Sequence, residues 1–371
     1  MMGRPSCRGV ASSGAWRNPA APVTMSAISA ATVRVATYYK EWLMAVGVFF
    51  DGFSSTAEML EVCREAELAG ASSLWFAQHM GYREAVVSAT AAASVTQSAT
   101  LVPVAISPYF WPPLPVAMAI STLGEFARGR VILNVSVGNI LNLSESGVEP
   151  VKPIRIMREY VEALRALWAG KPVTYEGTLH KLRGAKMVFD QGRQYPIYVA
   201  STGPQMLKLA GEIADGVLLS AGLTLASTRR CLDFAQEGVQ AKGRDPAAVR
   251  TCSLINCKIS QDGTAAKAAM LRKLAFLFRS RGHAENIKSS DLDIDHQAII
   301  AAHARHDFEG AVRLLPIEAA NVFAVAGTPA QCRTRLEEYL AVGLDQFIIE
   351  VSGDTEERKL ALDLVREVAR R

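Results

Sequence analysis

Two features of this chain have residue types and spacing suited to chemistry. The first is the run Ala200-Ser201-Thr202-Gly203-Pro204, which joins the short apolar segment Ile197 to Ala200 to an amphipathic helical pattern ending at Asp215-Gly216. Small side chains at that turn let an anion reach backbone N–H groups, and a proline at the first helical position sacrifices no hydrogen bond. Val217 to Leu219 then reads as a further buried strand, so the unit is strand, loop, helix, strand, with an anion site at the carboxyl end of the first strand. The second feature is His79, which directly follows the apolar run Leu74 to Ala77 and Gln78. An imidazole titrates near neutrality, which makes His79 the candidate for proton transfer.

These residues need a scaffold that brings strand ends together. After residue 44 the chain alternates short apolar runs with helical patterns. The strands are expected at Ala45 to Phe50, Leu74 to Ala77, Thr100 to Ile106, Val131 to Val137, Ile197 to Ala200, Val217 to Leu219, Thr251 to Ile259 and Gln346 to Val351. Helices are expected from Ser55 to Gly70, Glu84 to Thr96, the proline-rich turn at Pro108 to Arg128, Pro153 to Trp168, Leu225 to Lys242, Thr264 to Arg281 and Pro329 to Ala341, with another to the C-terminus. VTYEGTLHKL reads as a hairpin turned at Glu176-Gly177. Eight strands each followed by a helix predict an α/β fold, a parallel (β/α)8 TIM barrel, with a doubly wound sheet as the alternative. In a barrel the strand ends place Asp51, Gln78, His79, Ser107, Gly138 and Asn139 at one mouth, with Phe50, Phe53, Trp75, Tyr109, Phe110 and Trp111 as the expected cavity wall. Residues 282–320, polar around a broken apolar pattern, form an insertion after strand seven and are expected to act as a lid. His283, His296, His303 and His306 fall within it and read as a solvated face, so no metal site is assigned.

Composition narrows the class. Of 371 residues half are hydrophobic and a fifth charged, and the net charge is +4 without clustering. No apolar run reaches the roughly 20 residues that cross a bilayer, and no basic and aromatic interleaving suggests nucleic acid. Cys7, Cys63, Cys231, Cys252, Cys257 and Cys332 form no CxxC pair, so they read as reduced thiols of a cytoplasmic protein. GxSxG, Walker and GxGxxG motifs are absent, which disfavours acyl transfer and nucleotide hydrolysis. Residues 1–43 carry no acidic residue before Glu41 and fit a leader, a disordered extension or a non-native extension upstream of a true start at Met44, and the last is preferred. Residues 44–371 then form the (β/α)8 barrel domain, with the lid insertion at 282–320.

The stretches SLWFAQH at 73–79, PYFWPPLPVAMAISTLGEFARGRVILNVSVGN at 108–139, PIYVASTGPQMLKLAGEIADGVLL and GTPAQCRTRLEEYLAVGLDQFIIE at 327–350 resemble the luciferase-like monooxygenase superfamily, which includes reductases using the deazaflavin coenzyme F420. The resemblance implies a flavin phosphate at Ser201, Thr202, Gly203 and Pro204, and a ring over the end of strand three. It also implies a non-proline cis peptide at Val104 to Ala105, proton exchange at His79, coenzyme or substrate contact at Gly138 and Asn139, and a homodimer. Two positions depart from the F420 reductases: Gln78 and Asn139 stand where acidic residues are common. The function expected on that basis is an FMNH2-dependent monooxygenase of a small organic substrate, served by a separate flavin reductase. The alternatives are an F420-dependent hydride transferase near the methylene-tetrahydromethanopterin reductase branch and a non-catalytic flavin-binding barrel.

Overall fold

The computed structural model describes residues 45–370; the expected extension over 1–43 and the start at Met44 lie outside the described residues. Twelve strands are described: β1 (Ala45–Phe50), β2 (Ser73–Ala77), β3 (Thr100–Val104), β4 (Leu133–Val135), β5 (Val173–Glu176), β6 (Lys181–Ala185), β7 (Ile197–Ala200), β8 (Gly216–Leu219), β9 (Arg250–Ile255), β10 (Cys257–Ile259), β11 (Val325–Gly327) and β12 (Gln346–Glu350). The helices between them are α1 (Thr56–Leu68), α2 (Ala85–Ala93), α3 (Pro113–Phe126), α4 (Ile140–Glu145), α5 (Pro153–Trp168), α6 (Pro204–Ile213) and α7 (Leu225–Ala241). Then come α8 (Gly263–Leu277), α9 (Ala284–Lys288), α10 (His296–Ala304), α11 (Phe308–Arg313), α12 (Ala319–Val322), α13 (Pro329–Ala341) and α14 (Thr355–Ala369).

Eight strands pair in parallel in the order β3-β2-β1-β12-β9-β8-β7-β4. Isolated parallel bridges from Leu101 to Val131 and from Ile106 to Val135 join the two end strands, so the sheet curls into a (β/α)8 TIM barrel. Alternation along each strand sorts the core. Leu101, Leu133, Val135, Ile197 and Val199 face the surrounding helices. Trp75, Val102, Val104, Ile132, Tyr198, Leu218, Cys252 and Ile348 fill the barrel interior, with Phe49, Ala105, Ala200 and Leu254 only partly covered above them. Parallel pairing puts all eight carboxyl ends on one rim, which is what brings distant residues together.

The expected seventh strand, Thr251 to Ile259, divides. Its first part, β9, sits in the barrel between β8 and β12. Asn256 interrupts it, and β10 pairs instead with β11, a strand the sequence reading did not anticipate. The loop after strand four likewise holds the unanticipated α4.

The insertion at 282–320 differs from its expected broken, solvated pattern. Helices α9 to α12 share a separate apolar core with α8, built on Leu274, Phe278, Ile299, Ala311, Ala319 and Phe323. Its histidines are not a solvated face. His296 is buried and its Nε2 donates to Phe278 O at 2.8 Å, while His303 Nε2 donates to Ala275 O at 2.9 Å. Both rings thereby satisfy carbonyls near the C-terminal end of α8 that lack helical partners. Only His306 is exposed. Asn286 anchors the insertion to the loop after β8, donating to Gly222 O at 2.6 Å and accepting from Thr224 N at 3.1 Å.

Burial beside Phe278 pushes the His283 pKa down to about 4, with the neighbouring His296 acting in the same direction. A histidine with a lowered pKa binds its proton more readily when the chain is unfolded. Stability is therefore full above pH 6.5 and falls as the pH drops from 6.5 towards 4. Urea midpoints measured across that window should decline more steeply for the natural chain than for His283→Gln; parallel curves would exclude His283 as the cause.

Candidate active site at the barrel mouth

The rim holds a connected set of strand-end groups. The end of β2 is tied to that of β3 by Gln78 N–H donating to Val104 O at 2.5 Å. The Val104–Ala105 peptide bond that follows is cis. Beyond it Ile106 exchanges bonds with β4, its N–H donating to Asn134 O at 2.9 Å and its carbonyl accepting from Ser136 N at 3.1 Å. Ser107 Oγ donates to Val137 O at 2.7 Å, and the positive φ of Gly138 (108°) turns the chain away just there. A Cβ on Gly138 would come within 3.4 Å of Ser107 Oγ. Asn139, which follows, is exposed at the rim.

His79 is half-buried and its Nδ1 lies 3.2 Å from Asp51 O. A carbonyl oxygen only accepts, so the bond places a proton on Nδ1 and leaves Nε2 as the nitrogen with the lone pair. Gln78 has a task of its own: its Oε1 accepts from Ala85 N at 2.9 Å at the start of α2. Arg83 Nη1 donates to Gly52 O and Phe53 O, both at 2.9 Å, and so holds the loop after β1 against the loop after β2.

Across the rim, the loop after β7 leads into α6 with Gly203 as its N-cap, and no side chain caps the first turn. Gly203 N–H is satisfied by Ser201 Oγ at 3.0 Å, and Pro204 has no N–H. The orphan donors are those of Gln205 and Met206, at the positive end of the helix. Thr202, Gly203 and Pro204 are exposed. A Cβ on Gly203 would meet nothing nearer than Ser201 Oγ at 3.7 Å, so the approach is open. This arrangement fits a phosphate. The partly covered Ala105 and Ala200 present little side chain on the barrel interior beneath, which fits a flat ring system.

The position of α6 depends on an unusually close crossing with α7. A Cβ on Gly211 would lie 2.0 Å from Ala235 O, and one on Gly238 1.9 Å from Lys208 O. Neither helix tolerates a side chain there, so the two glycines set where the N-terminal end of α6 points.

A cleft with about 700 Å³ of free space opens to solvent beside β1, β2 and β12, lined in part by Phe49, Phe50, Phe53, Arg83 and Glu350. Of the expected cavity wall, Phe50 and Phe53 are on it. Trp75 is not: it is 1 % exposed, and its Nε1 donates to Ser73 Oγ at 2.6 Å within the barrel. Tyr109 and Trp111 serve the loops, Tyr109 OH donating to Val151 O at 2.7 Å and Trp111 O accepting from Tyr160 OH at 2.9 Å. Two inward-facing strand residues, one at the mouth and one in the barrel interior, escaped the sequence reading. Glu350 ends β12 on the inward parity, beside Phe49, and is held by Lys273 of α8. Asn134 stands in β4 between inward Ile132 and Ser136, fully buried, with neither its Oδ1 nor its Nδ2 hydrogen-bonded. Each such orphan costs about 1–3 kcal/mol. Strand parity alone could have flagged both. Among the described residues no group of histidine, cysteine and carboxylate side chains could hold a metal ion, and no helix is long and apolar enough to cross a membrane.

A (β/α)8 barrel with a phosphate-receptive helix end, a histidine and a cis peptide on one rim is the arrangement of the flavin- and deazaflavin-dependent barrel oxidoreductases. The chain belongs to the luciferase-like monooxygenase family, whose model matches residues 44–346. It is 28 % identical over 313 residues to the 5,10-methylenetetrahydromethanopterin reductase of Archaeoglobus fulgidus, covering 82 % of this chain and 92 % of that one. An F420-dependent glucose-6-phosphate dehydrogenase of Microbacterium testaceum is 28 % identical over 252 residues, covering 67 % and 70 %. The solved coenzyme F420-dependent tetrahydromethanopterin reductase of Methanopyrus kandleri superposes with a TM-score of 0.79 at 25 % identity, covering 88 % of this chain and 98 % of that one.

Two substitutions test the geometry of the phosphate loop. Gly238→Ala should cost about 1–3 kcal/mol by overpacking, read as a lower urea midpoint at unchanged m-value; an unaltered midpoint would show that the helices separate freely. Gly203→Asp sets a carboxylate beside the orphan donors and should weaken binding of a phosphorylated flavin or deazaflavin at least about tenfold. Equal affinity in a fluorescence titration would remove the phosphate from this loop.

Proposed function

We propose that the protein is an F420-dependent oxidoreductase that moves a hydride between the deazaflavin and a small organic substrate. The observation carrying this reading is the match, over most of both chains, to a methylenetetrahydromethanopterin reductase and to F420-dependent relatives. The site fits the same reading. Gln205 and Met206 N–H and the positive end of α6 would receive the coenzyme phosphate, and Ala105 and Ala200 would lie beneath its ring. When bound, the coenzyme supplies a carbon that gives or takes a hydride.

The chain's own residues do the rest. A hydride transfer that makes or consumes an O–H or N–H bond needs a proton as well. His79, its Nδ1 proton committed to Asp51 O, offers Nε2 to take up that proton or to return it. Asp51 O fixes the tautomer and the ring's orientation; the Asp51 carboxylate is occupied in accepting from Phe53 N at 2.9 Å. The cleft beside β1 and β12 is the proposed substrate entrance, where the apolar Phe49, Phe50 and Phe53 exclude water and Glu350 with Lys273 supplies polar contact. The insertion, tied to the loop after β8 by Asn286, is the proposed cover of the mouth.

A second reading rests on Gln78 and Asn139, which leave two rim positions without a carboxylate. In that case the protein uses FMNH2 and dioxygen, supplied with reduced flavin by a separate reductase.

The readings separate experimentally. Under argon, purified protein should bleach the absorbance of oxidised F420 when alcohols are supplied, or restore it from reduced F420 when imines are supplied. Turnover confined to FMNH2 and oxygen would reverse the order of the two. His79→Ala should lower turnover by about 10²–10⁴-fold while leaving coenzyme affinity within a factor of about two. Undiminished turnover takes His79 out of the reaction.

A further inference from the structure

The cleft beside β1, β2 and β12 is bordered by the ionisable side chains of Asp51, Arg83 and Glu350, and each has a partner within the protein. Asp51 Oδ1 accepts from Phe53 N at 2.9 Å, Arg83 donates to Gly52 O and Phe53 O, and Glu350 pairs with Lys273. Two carboxylates and one guanidinium make no basic cluster, and the remaining polar side chains on the lining are the neutral hydroxyls of Ser54, Ser88 and Ser352. Aromatic surface, by contrast, is on offer. Phe53 is 65 % exposed at the lip, its ring edge-on to that of Tyr82 with centroids 4.7 Å apart. The Tyr82 ring in turn lies 5.8 Å from the His79 ring, so a row of rings runs from the imidazole to the cleft. Phe50, stacked on Phe76 at 5.2 Å, continues the apolar wall.

A charged substrate gives up hydration on entering a cleft and recovers it only where the wall supplies opposite charge that is not already paired. Here a phosphate would meet two carboxylates and a guanidinium engaged by carbonyls, and a cation would compete with Lys273 for Glu350. An uncharged ring meets neither obstacle and gains contact with Phe50 and Phe53. The free space of about 700 Å³ is on the scale of a small-molecule site, about 300–1,000 Å³. We infer that the substrate is an uncharged alcohol or carbonyl compound bearing an aromatic or alicyclic ring, with the ring against Phe53 and the reacting carbon towards His79, and that sugar phosphates are excluded. In the oxidative direction the carbinol hydride passes to the oxidised coenzyme and the hydroxyl proton to His79 Nε2, leaving an aldehyde or ketone. The inference deepens the proposed function and rests on its placing of the substrate in this cleft. It separates this chain from the glucose-6-phosphate dehydrogenase of Microbacterium testaceum, whose name gives a phosphorylated sugar as substrate.

The test is a matched series of alcohols that share one ring and differ in charge: benzyl alcohol, 4-(hydroxymethyl)benzoate and 4-(hydroxymethyl)benzylamine, with 2-propanol as the ring-free member and glucose 6-phosphate beside them. Each is followed by turnover with oxidised F420 and by calorimetric binding to the coenzyme-free protein. Benzyl alcohol should show a KM and a Kd at least about tenfold below those of both charged counterparts and of glucose 6-phosphate, with a negative heat-capacity change on binding. Phe53→Ala should raise the KM for benzyl alcohol about tenfold more than that for 2-propanol, because the lost contact is to the ring. The side chain of Phe53 is largely exposed, so its removal leaves the core intact. Equal constants across the series, or preference for the benzoate, the benzylamine or glucose 6-phosphate, would overturn the inference, as would a Phe53→Ala protein that treats the ring compounds like the natural chain. Should F420 support no turnover of any alcohol, the proposed function falls, and the calorimetric ranking alone decides the inference: tightest binding of benzyl alcohol, weakened in Phe53→Ala, upholds it, and any other ranking, or no binding at all, refutes it.

Discussion

Closure of the sheet at the seam between β3 and β4 is the constraint on which the rest of the molecule depends. The two strands meet only through isolated bridges, and the hydrogen bonds of Ile106 to Asn134 and Ser136 carry the upper one. Without that seam the sheet would be open and its carboxyl ends would fan apart. With it, residues separated by more than a hundred positions in sequence share one rim. The seam is also where backbone irregularity gathers: the cis bond at Val104–Ala105, the left-handed Gly138 and the Ser107 hydroxyl that ties them. The interior beside it holds the buried Asn134 amide.

Beside the seam, one strand beyond β4, the N-terminal end of α6 is set by packing rather than by polar groups. Gly211 and Gly238 let α6 and α7 approach until backbone touches backbone, and the loop at Gly203 inherits its direction from that crossing. The mouth therefore has two sides with different physics. One side offers unpartnered N–H groups at a helix end, suited to charge. The other offers small side chains and an imidazole, suited to a ring and to proton exchange. The insertion has its own apolar core and is anchored to the loop after β8 by Asn286 rather than hanging free.

Much of this was legible in the residues. Ile197 to Ala200 followed by Gly203-Pro204 announced β7 and α6 because proline and glycine at a helix start have a local meaning. The capping Ser55 and Pro329 at the first helical turn did the same for α1 and α13. What escaped was set by contacts distant in sequence. Thr251 to Ile259 reads as one apolar run, yet Asn256 lets β10 leave the barrel to pair with β11, a partner about seventy residues away that no periodicity discloses. The histidines of the insertion look solvated in a polar stretch, but their targets are carbonyls of α8, which a sequence pattern does not display. Trp75 looked like cavity wall from its place near a strand end, whereas strand parity turns it into the barrel interior. Asn134 was hidden for the opposite reason: an asparagine inside an apolar strand looks like an interruption until the barrel closes around it.

The most direct test of the account is a crystal structure of the protein soaked with F420. It should show the phosphate on the N–H groups of Gln205 and Met206, with the ring between Ala105 and Ala200. Density for the phosphate elsewhere on the rim, or a mouth that stays empty at saturating coenzyme, would contradict it.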